Sequence, residues 1–251
     1  MIRTRNWEVD RDDVLESETP EPTETHKTVS HGYIVETSEK IMEEENLTLK
    51  QSKYYMSADK MKYFGKYIFD KKIFSDTDQN QRSYELNPNV TLGFVNSHDK
   101  SLASCVFFGT LMPVCSNEGW HNRMWFKRKH TGNIENDLDI GIKSCLINID
   151  KFSQGYAGIM EEYKNTPLND LDVKSLIIES ARKKIIPSSK ILSVYKEWNE
   201  PSFNYDNNED SVYKLYNSFT TVLRDYKEHA VTNPKRSFAL LEILNEIQKK
   251  T

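Results

Sequence analysis

The strongest pattern in the chain begins at Ile134. Ile134, Leu138, Ile142, Cys145, Ile149, Phe152, Tyr156, Ile159 and Tyr163 recur at steps of three and four, the spacing that lines one face of an α-helix. It predicts one helix of about 30 residues, roughly 45 Å long at about 1.5 Å per residue. Asn133 suits its N-cap, and Glu135 and Asp137 suit the positive end of its dipole. Further helical patterns follow. They cover Leu171 to Ala181, residues 188–198, Val212 to Tyr226, and Phe238 to Ile247 beyond the punctuation at Asn233-Pro234. Residues 200–210 read as a loop.

Upstream the period changes from near 3.6 to 2. Residues 61–70 alternate as a strand, with Tyr63, Tyr67 and Phe69 between lysines. The apolar runs 91–99, 101–108 and 110–115 are separated by His98–Lys100 and by Gly109. They predict consecutive antiparallel strands joined by tight turns. Residues 120–130 predict another strand. A polar connector fills 75–88, and a short helix over 38–46 has Thr37 or Ser38 as its cap. Residues 1–30 are polar, with Pro20 and Pro22 among Glu and Thr, and predict a flexible acidic lead. An acidic segment lying over a basic groove is the sharper alternative. There is no internal repeat.

The fold class expected is α+β: an antiparallel sheet of short strands packed by a long helix, with a helical C-terminal half. The expected units are the lead over 1–30, an α+β core over 31–165, and a helical region over 166–251 packed on that core.

Composition alters this picture only in places. The chain has 251 residues, 37% of them hydrophobic, and a formal net charge of −4. Residues 1–50 hold 13 acidic and 6 basic residues, and the remaining positions hold 25 and 28. The body is thus slightly basic behind an acidic start, and local patches outweigh the total because exposed charges screen within about 10 Å. Three cysteines, Cys105, Cys115 and Cys145, form no CxxC pair, so a reducing cytoplasm is expected. No run approaches the roughly 18 apolar residues of a membrane helix, and the first residues have no apolar signal region.

Candidate chemistry centres on MWFKRKHTGNIEND, residues 124–137. Single-strand nucleic-acid binders combine aromatic faces for base stacking with cations for phosphates. Arg123, Trp125, Lys127, Arg128, Lys129 and His130 supply both. On an uninterrupted strand Arg123, Trp125, Lys127 and Lys129 would share one face. The alternative is an edge strand whose lysines block edge-to-edge pairing. His98 beside Asp99 invites acid–base or metal work, but Asn96-Ser97-His98-Asp99 is turn-like. Cys115 with a histidine could form a thiolate pair, though buried cysteines usually behave as small apolar groups. No metal-ligand spacing and no phosphate loop is present, so no cofactor and no enzyme activity is expected.

Four segments then carry a resemblance: FVNSHDKSLASCVFF (94–108), PVCSN (113–117), KHTGNIENDL (129–138) and SVYKLYNSFTTVL (211–223). In order and spacing they resemble the phage/plasmid-like family built on domain of unknown function 932, whose pattern runs N-S-H-D-G-S, R-V-V-C-x-N, R-H-T-x-N and Y-N-x-x-T. The matching positions are Asn96, Ser97, His98, Asp99, Cys115, Asn117, Thr131, Asn133, Tyr216, Asn217 and Thr220. Lys100 stands where the family has Gly, and Met112-Pro113 where it has Arg-Val. The resemblance implies a gene of phages, prophages or plasmids. Strands followed by a long helix are similar, at fold level, to single-strand annealing proteins of the Red-beta and RecT kind. The leading expectation is therefore a single-stranded DNA-binding protein, an annealing or recombination accessory in the host cytoplasm. Alternatives are an interaction protein that inhibits a host defence factor and a metal-dependent nuclease using His98, Asp99 and His130. A homo-oligomer and a host protein are the other partners considered; a membrane is not.

Overall fold

The structure is a computed structural model. It describes residues 6–73, 88–111, 118–204, 209–224 and 233–248, and among these the side chains of Asn6, Lys72, Glu118, residues 121–125, Asn233 and Gln248 are not described. The architecture is α+β. Six strands form an antiparallel meander in which each strand pairs with its neighbours in sequence: β1 (Asn6–Val9), β2 (Leu49–Ser57), β3 (Lys62–Lys72), β4 (Asn89–Ser97), β5 (Ser104–Leu111) and β6 (Glu118–Arg128). Two helices, α1 (Arg11–Leu15) and α2 (His31–Glu44), lie between β1 and β2. After the sheet come α3 (Ile134–Ile147), α4 (Ile149–Lys164), α5 (Asp170–Arg182), a 3-10 turn, α6 (Ile191–Asn199), α7 (Val212–Arg224) and α8 (Asn233–Gln248). No helix among the described residues is long and apolar enough to cross a membrane.

Period-2 alternation divides the sheet into two faces. One face carries Tyr63, Tyr67, Leu92, Phe94, Val106 and Phe108 into the main core beneath the helices. Phe108 of β5 stacks on Phe152 of α4 with ring centroids 4.6 Å apart. This core is continuous from Val14 to Leu244, so the C-terminal helices share it with the sheet. The other face holds a smaller cluster of Phe64, Val95, Phe107 and Trp120. Phe238 at the start of α8 meets Phe107 there, at 5.6 Å between ring centroids, while Leu240 and Leu244 of the same helix enter the main core. Helix α8 therefore packs at the β6 edge and contributes to both faces.

Several elements differ from the expectation. The long helix is two helices, broken at Asn148, which ends α3 and opens α4. Its side chain turns back to the Ser144 carbonyl at 2.7 Å. The apolar steps run unbroken through this break, so periodicity alone conceals it. Gly109 lies inside β5 rather than ending a strand. A Cβ there would collide with the Trp120 ring, so the glycine makes room for the indole. The helix expected over 38–46 is α2, which begins at His31 under a Ser30 cap, whose Oγ accepts from the Tyr33 N–H at 2.8 Å. Ser38, a proposed cap, is buried mid-helix and donates to the Ile34 carbonyl. Pro234 sits at the start of α8, where its missing N–H costs nothing. Residues 6–30, expected as a flexible lead, comprise β1, α1 and an extended strap over 16–30. Val14 and Val29 of this segment are fully buried. Apolar anchors spaced this far apart give no periodic signal. The connector over 75–88, Cys115 and Asn117 lie outside the described residues, apart from Pro88.

Candidate functional site

The β2–β3 and β4–β5 turns, the C-terminal end of β6 and the strap meet at one end of the sheet. Short contacts join them. Lys62 pairs with Asp99 at 3.0 Å, the His98 N–H donates to the Met61 carbonyl at 2.8 Å, and the Lys27 N–H donates to the His130 carbonyl at 2.8 Å. Four of the six histidines in the chain converge there: His26, His31, His98 and His130. His31 stacks on His98 at 4.0 Å with planes 2° apart, and His26 stacks on His130 at 4.7 Å.

Carbonyls only accept, so they fix the hydrogens of this cluster. The Asn96 amide faces the Val29 carbonyl at 2.8 Å, which makes Nδ2 the donor. Its second N–H points at His31 Nδ1, at 3.0 Å. His31 Nε2 lies 3.1 Å from the Lys60 carbonyl and must carry the proton, which leaves Nδ1 free to accept from Asn96. His98 Nε2 donates to the Val29 carbonyl at 2.9 Å, and His130 Nδ1 to the Lys27 carbonyl at 3.1 Å. Asn96 Oδ1 accepts from the Ser104 hydroxyl at 2.6 Å. The side chains of Asn96, His98 and His130 thus clamp the backbone of the strap at residues 27 and 29.

Burial pushes all four histidines below the ordinary imidazole range. His31, fully buried, goes lowest, to about 3, with the charge of His98 as the next cause. At neutral pH the cluster is therefore uncharged and serves as a packing and hydrogen-bonding unit. Asp99 lies below the carboxylate range: burial opposes this, but the hydrogen bonds from Ser101 and the Lys62 ammonium outweigh it. Lys100 follows with φ of +62°, the left-handed conformation natural to glycine, so the turn keeps a glycine-like backbone although the residue differs.

Around this buried cluster stand exposed cations: Lys27 on the strap, Lys60 in the β2–β3 turn, Lys100 in the β4–β5 turn, and Lys127 and Lys129 at the end of β6. They form a rim of lysines, with the exposed acids Glu24, Asp59 and Asp99 on the same segments. The cations expected from residues 123–130 divide into different roles. Lys127 and Lys129 are exposed. Arg128 is bound to Asp137 of α3 at 2.6 Å. His130 is buried in the clamp. Arg123 lies in an interruption of the pairing: Trp125 stands opposite Phe107, but His121 stands opposite Phe108. Residues 122–124 are the extra length, so alternation does not carry through from Arg123 to Trp125.

Other candidate positions separate in space. Thr131 and Asn133 are exposed between β6 and α3, and Gly132 turns the chain at φ +61°. Asn133 is the N-cap residue, but its side chain makes no capping bond. Tyr216, Asn217 and Thr220 lie on α7, buried. Asn217 and Thr220 bond to carbonyls of their own helix, those of Tyr213 and Asn217. A Cβ on Gly119 would strike the Tyr216 hydroxyl, which places this tyrosine beside the Thr110–Gly119 pair. That is about 20 Å along β5 from Ser104. The three described motifs thus serve two ends of the β5–β6 pair.

Nucleophilic and metal chemistry find little support in this arrangement. Burial pushes the Cys105 and Cys145 thiols up to about 11 and about 12, so neither is a thiolate at neutral pH. Among the described residues no three His, Cys, Asp or Glu side chains are placed to hold a metal ion. His98 and His130, considered as ligands, spend ring nitrogens on the strap.

Ser104, His26 and His31 escaped sequence reasoning. His31 occupies an inward position of α2 with Ile34, Val35 and Ser38, where its polarity was the only signal. Its contact with Asn96 spans 65 residues.

No curated protein and no solved structure matches the chain. The family model described as Domain of unknown function (DUF932) matches residues 25–242. The match opens beside His26 and takes in the strap clamp, the rim and the α7 motif. The chain belongs to the DUF932 family.

Proposed function

We propose that the protein binds single-stranded nucleic acid along the lysine rim, as an annealing or recombination accessory of a mobile element. The observation that carries this reading is the gathering of Lys27, Lys60, Lys100, Lys127 and Lys129, from four separate segments, at one end of the sheet. Among the described residues Lys27, Lys60 and Lys129 are in no ion pair. Hydrogen bonds from Asn96, His98 and His130 hold the strap beneath them. Trp125, the proposed stacking residue, stands two register positions before Lys127 on β6. Such an arrangement requires no bond-breaking chemistry: a strand held extended with its bases free can pair with its complement.

Each phosphate neutralised releases counterions, with a slope of about −0.7 in log affinity against log salt for single strands. A rim of five lysines predicts a slope of about −3.5. Fluorescence anisotropy with a labelled oligonucleotide, from low to moderate salt, measures it. A slope of that size supports the rim. Absence of binding at low salt contradicts it.

A further inference from the structure

We infer that the histidine cluster contains one specific proton-binding site, His130, and that the other three rings are built to stay neutral. The argument rests on the hydrogens available to each ring. An imidazolium carries an N–H on both nitrogens. His98 has a buried Nδ1 and His26 a buried Nε2 that meet no protein acceptor, so each cation would bury an unpaired N–H. At His31 the second N–H would point into the donating amide of Asn96, 3.0 Å away.

His130 differs. Its Nδ1 already donates to the Lys27 carbonyl, and its Nε2 lies 3.2 Å from the Ser104 hydroxyl oxygen. Ser104 has one hydrogen, and it is directed at Asn96 Oδ1, 2.6 Å away. The Asn96 amide cannot turn over, because Val29 and His31 hold both of its N–H groups. With neutral His130 two acceptors, Asn96 Oδ1 and His130 Nε2, compete for one hydroxyl hydrogen. A proton on His130 Nε2 removes the shortage: it donates to Ser104, Ser104 donates to Asn96, and every atom of the chain from Lys27 to Lys60 is satisfied.

The titratable groups facing His130 are His26 on the strap, His98 in the β4–β5 turn and His31 on α2. None of them can share its proton without an unpaired or opposed N–H. The site lets the rim gain a positive charge between Lys27 and Lys129 while the strap stays clamped. Its consequence for nucleic-acid affinity rests on the rim reading above; the proton site itself does not.

The test is a histidine-resolved NMR titration of the full chain from pH 8 to 4.5, following both imidazole nitrogens of each ring. His130 is expected to take up a proton first, ending with N–H on both nitrogens, while His31 keeps a bare Nδ1. Uptake by His26, His31 or His98 before His130, or unfolding with His130 still bearing a bare nitrogen, overturns the inference. In Ser104→Ala the His130 midpoint should fall by about one pH unit, the loss of one hydrogen bond to a charged group. An unchanged midpoint also overturns it. If that variant does not fold, the wild-type order decides. Oligonucleotide binding in the same samples separates the two readings, since the order of titration can hold whether or not nucleic acid binds.

Discussion

The ring of His98 lies flat on that of His31, 4.0 Å between centroids and 2° from parallel, with His98 held by the Val29 carbonyl of the strap and His31 by the Lys60 carbonyl of the β2–β3 turn. Two imidazoles at that distance cannot both be charged at ordinary cost. The pair therefore sets a lower pH limit on the fold. In the unfolded chain each takes up its proton near 6.5; in the fold burial holds both below that value, His31 at about 3. The unfolded state binds more protons across this interval, so stability is complete above about pH 6.5 and is lost as pH falls below it. Thermal melts at pH 7.5, 6 and 5 should show a falling midpoint. A midpoint that rises with acidification would contradict the assignment of neutral rings.

Lys100 adopts a left-handed backbone at φ +62°, which costs a non-glycine residue about 1 kcal/mol. Lys100→Gly should therefore stabilise the protein by up to about 1 kcal/mol, a rise of roughly 2–4 °C in Tm for a chain of this size. It also removes a rim cation, so oligonucleotide affinity should fall while stability rises. A melting scan and one binding isotherm decide both halves.

Gly141 of α3 faces the ring of Phe126 on β6, and a Cβ there would overlap three ring atoms. Alanine gains about 1 kcal/mol of helix propensity, but a methyl group forced into this contact costs typically 1–3 kcal/mol. Gly141→Ala should be net destabilising and lower Tm by several degrees. Gly155 and Gly158 of α4 have open space at the same test position, so alanine at either should raise Tm. Equal effects at all three positions would show that α3 does not pack on β6 as described.

Arg128 and Lys129 are adjacent in sequence and predicted to behave oppositely. Arg128 is engaged with Asp137, a half-exposed pair that contributes about 0.2–1 kcal/mol. Arg128→Ala should lower Tm slightly and leave the salt slope unchanged. Lys129→Ala should leave Tm unchanged and reduce the slope by about one phosphate contact. Paired melting and salt-titration experiments distinguish the two roles.

The parts of this fold that local patterns specify are legible in the sequence. The β3, β4 and β6 strands, the turn at His98–Lys100, and helices α5, α6 and α7 all follow from period and punctuation. What eludes such reading is decided at long range. Asn148 breaks a helix without breaking its apolar stripe. Gly109 looks like a stop until Trp120, eleven residues later, is placed over it. The acidic N-terminal segment looks unstructured because its anchors, Val14, His26 and Val29, are few and isolated. The site was half visible for the same reason: His98 and His130 sit in motif-like segments, whereas His31 and Ser104 become site residues only when the meander brings their strands and α2 together. The run from Lys127 to His130 looks like one feature but is three: exposed lysines, an ion-paired arginine and a buried clamp.

The measurement that tests the central claim most directly compares wild type with the quadruple variant Lys27→Ala, Lys60→Ala, Lys100→Ala, Lys129→Ala. Binding of a labelled single-stranded oligonucleotide is measured at one low salt concentration, with melting temperatures recorded alongside. The rim predicts salt-sensitive binding by wild type and a loss of at least 100-fold in the variant, on the order of four phosphate contacts, with the fold retained. Wild type that fails to bind, or a folded variant that binds equally well, would contradict it.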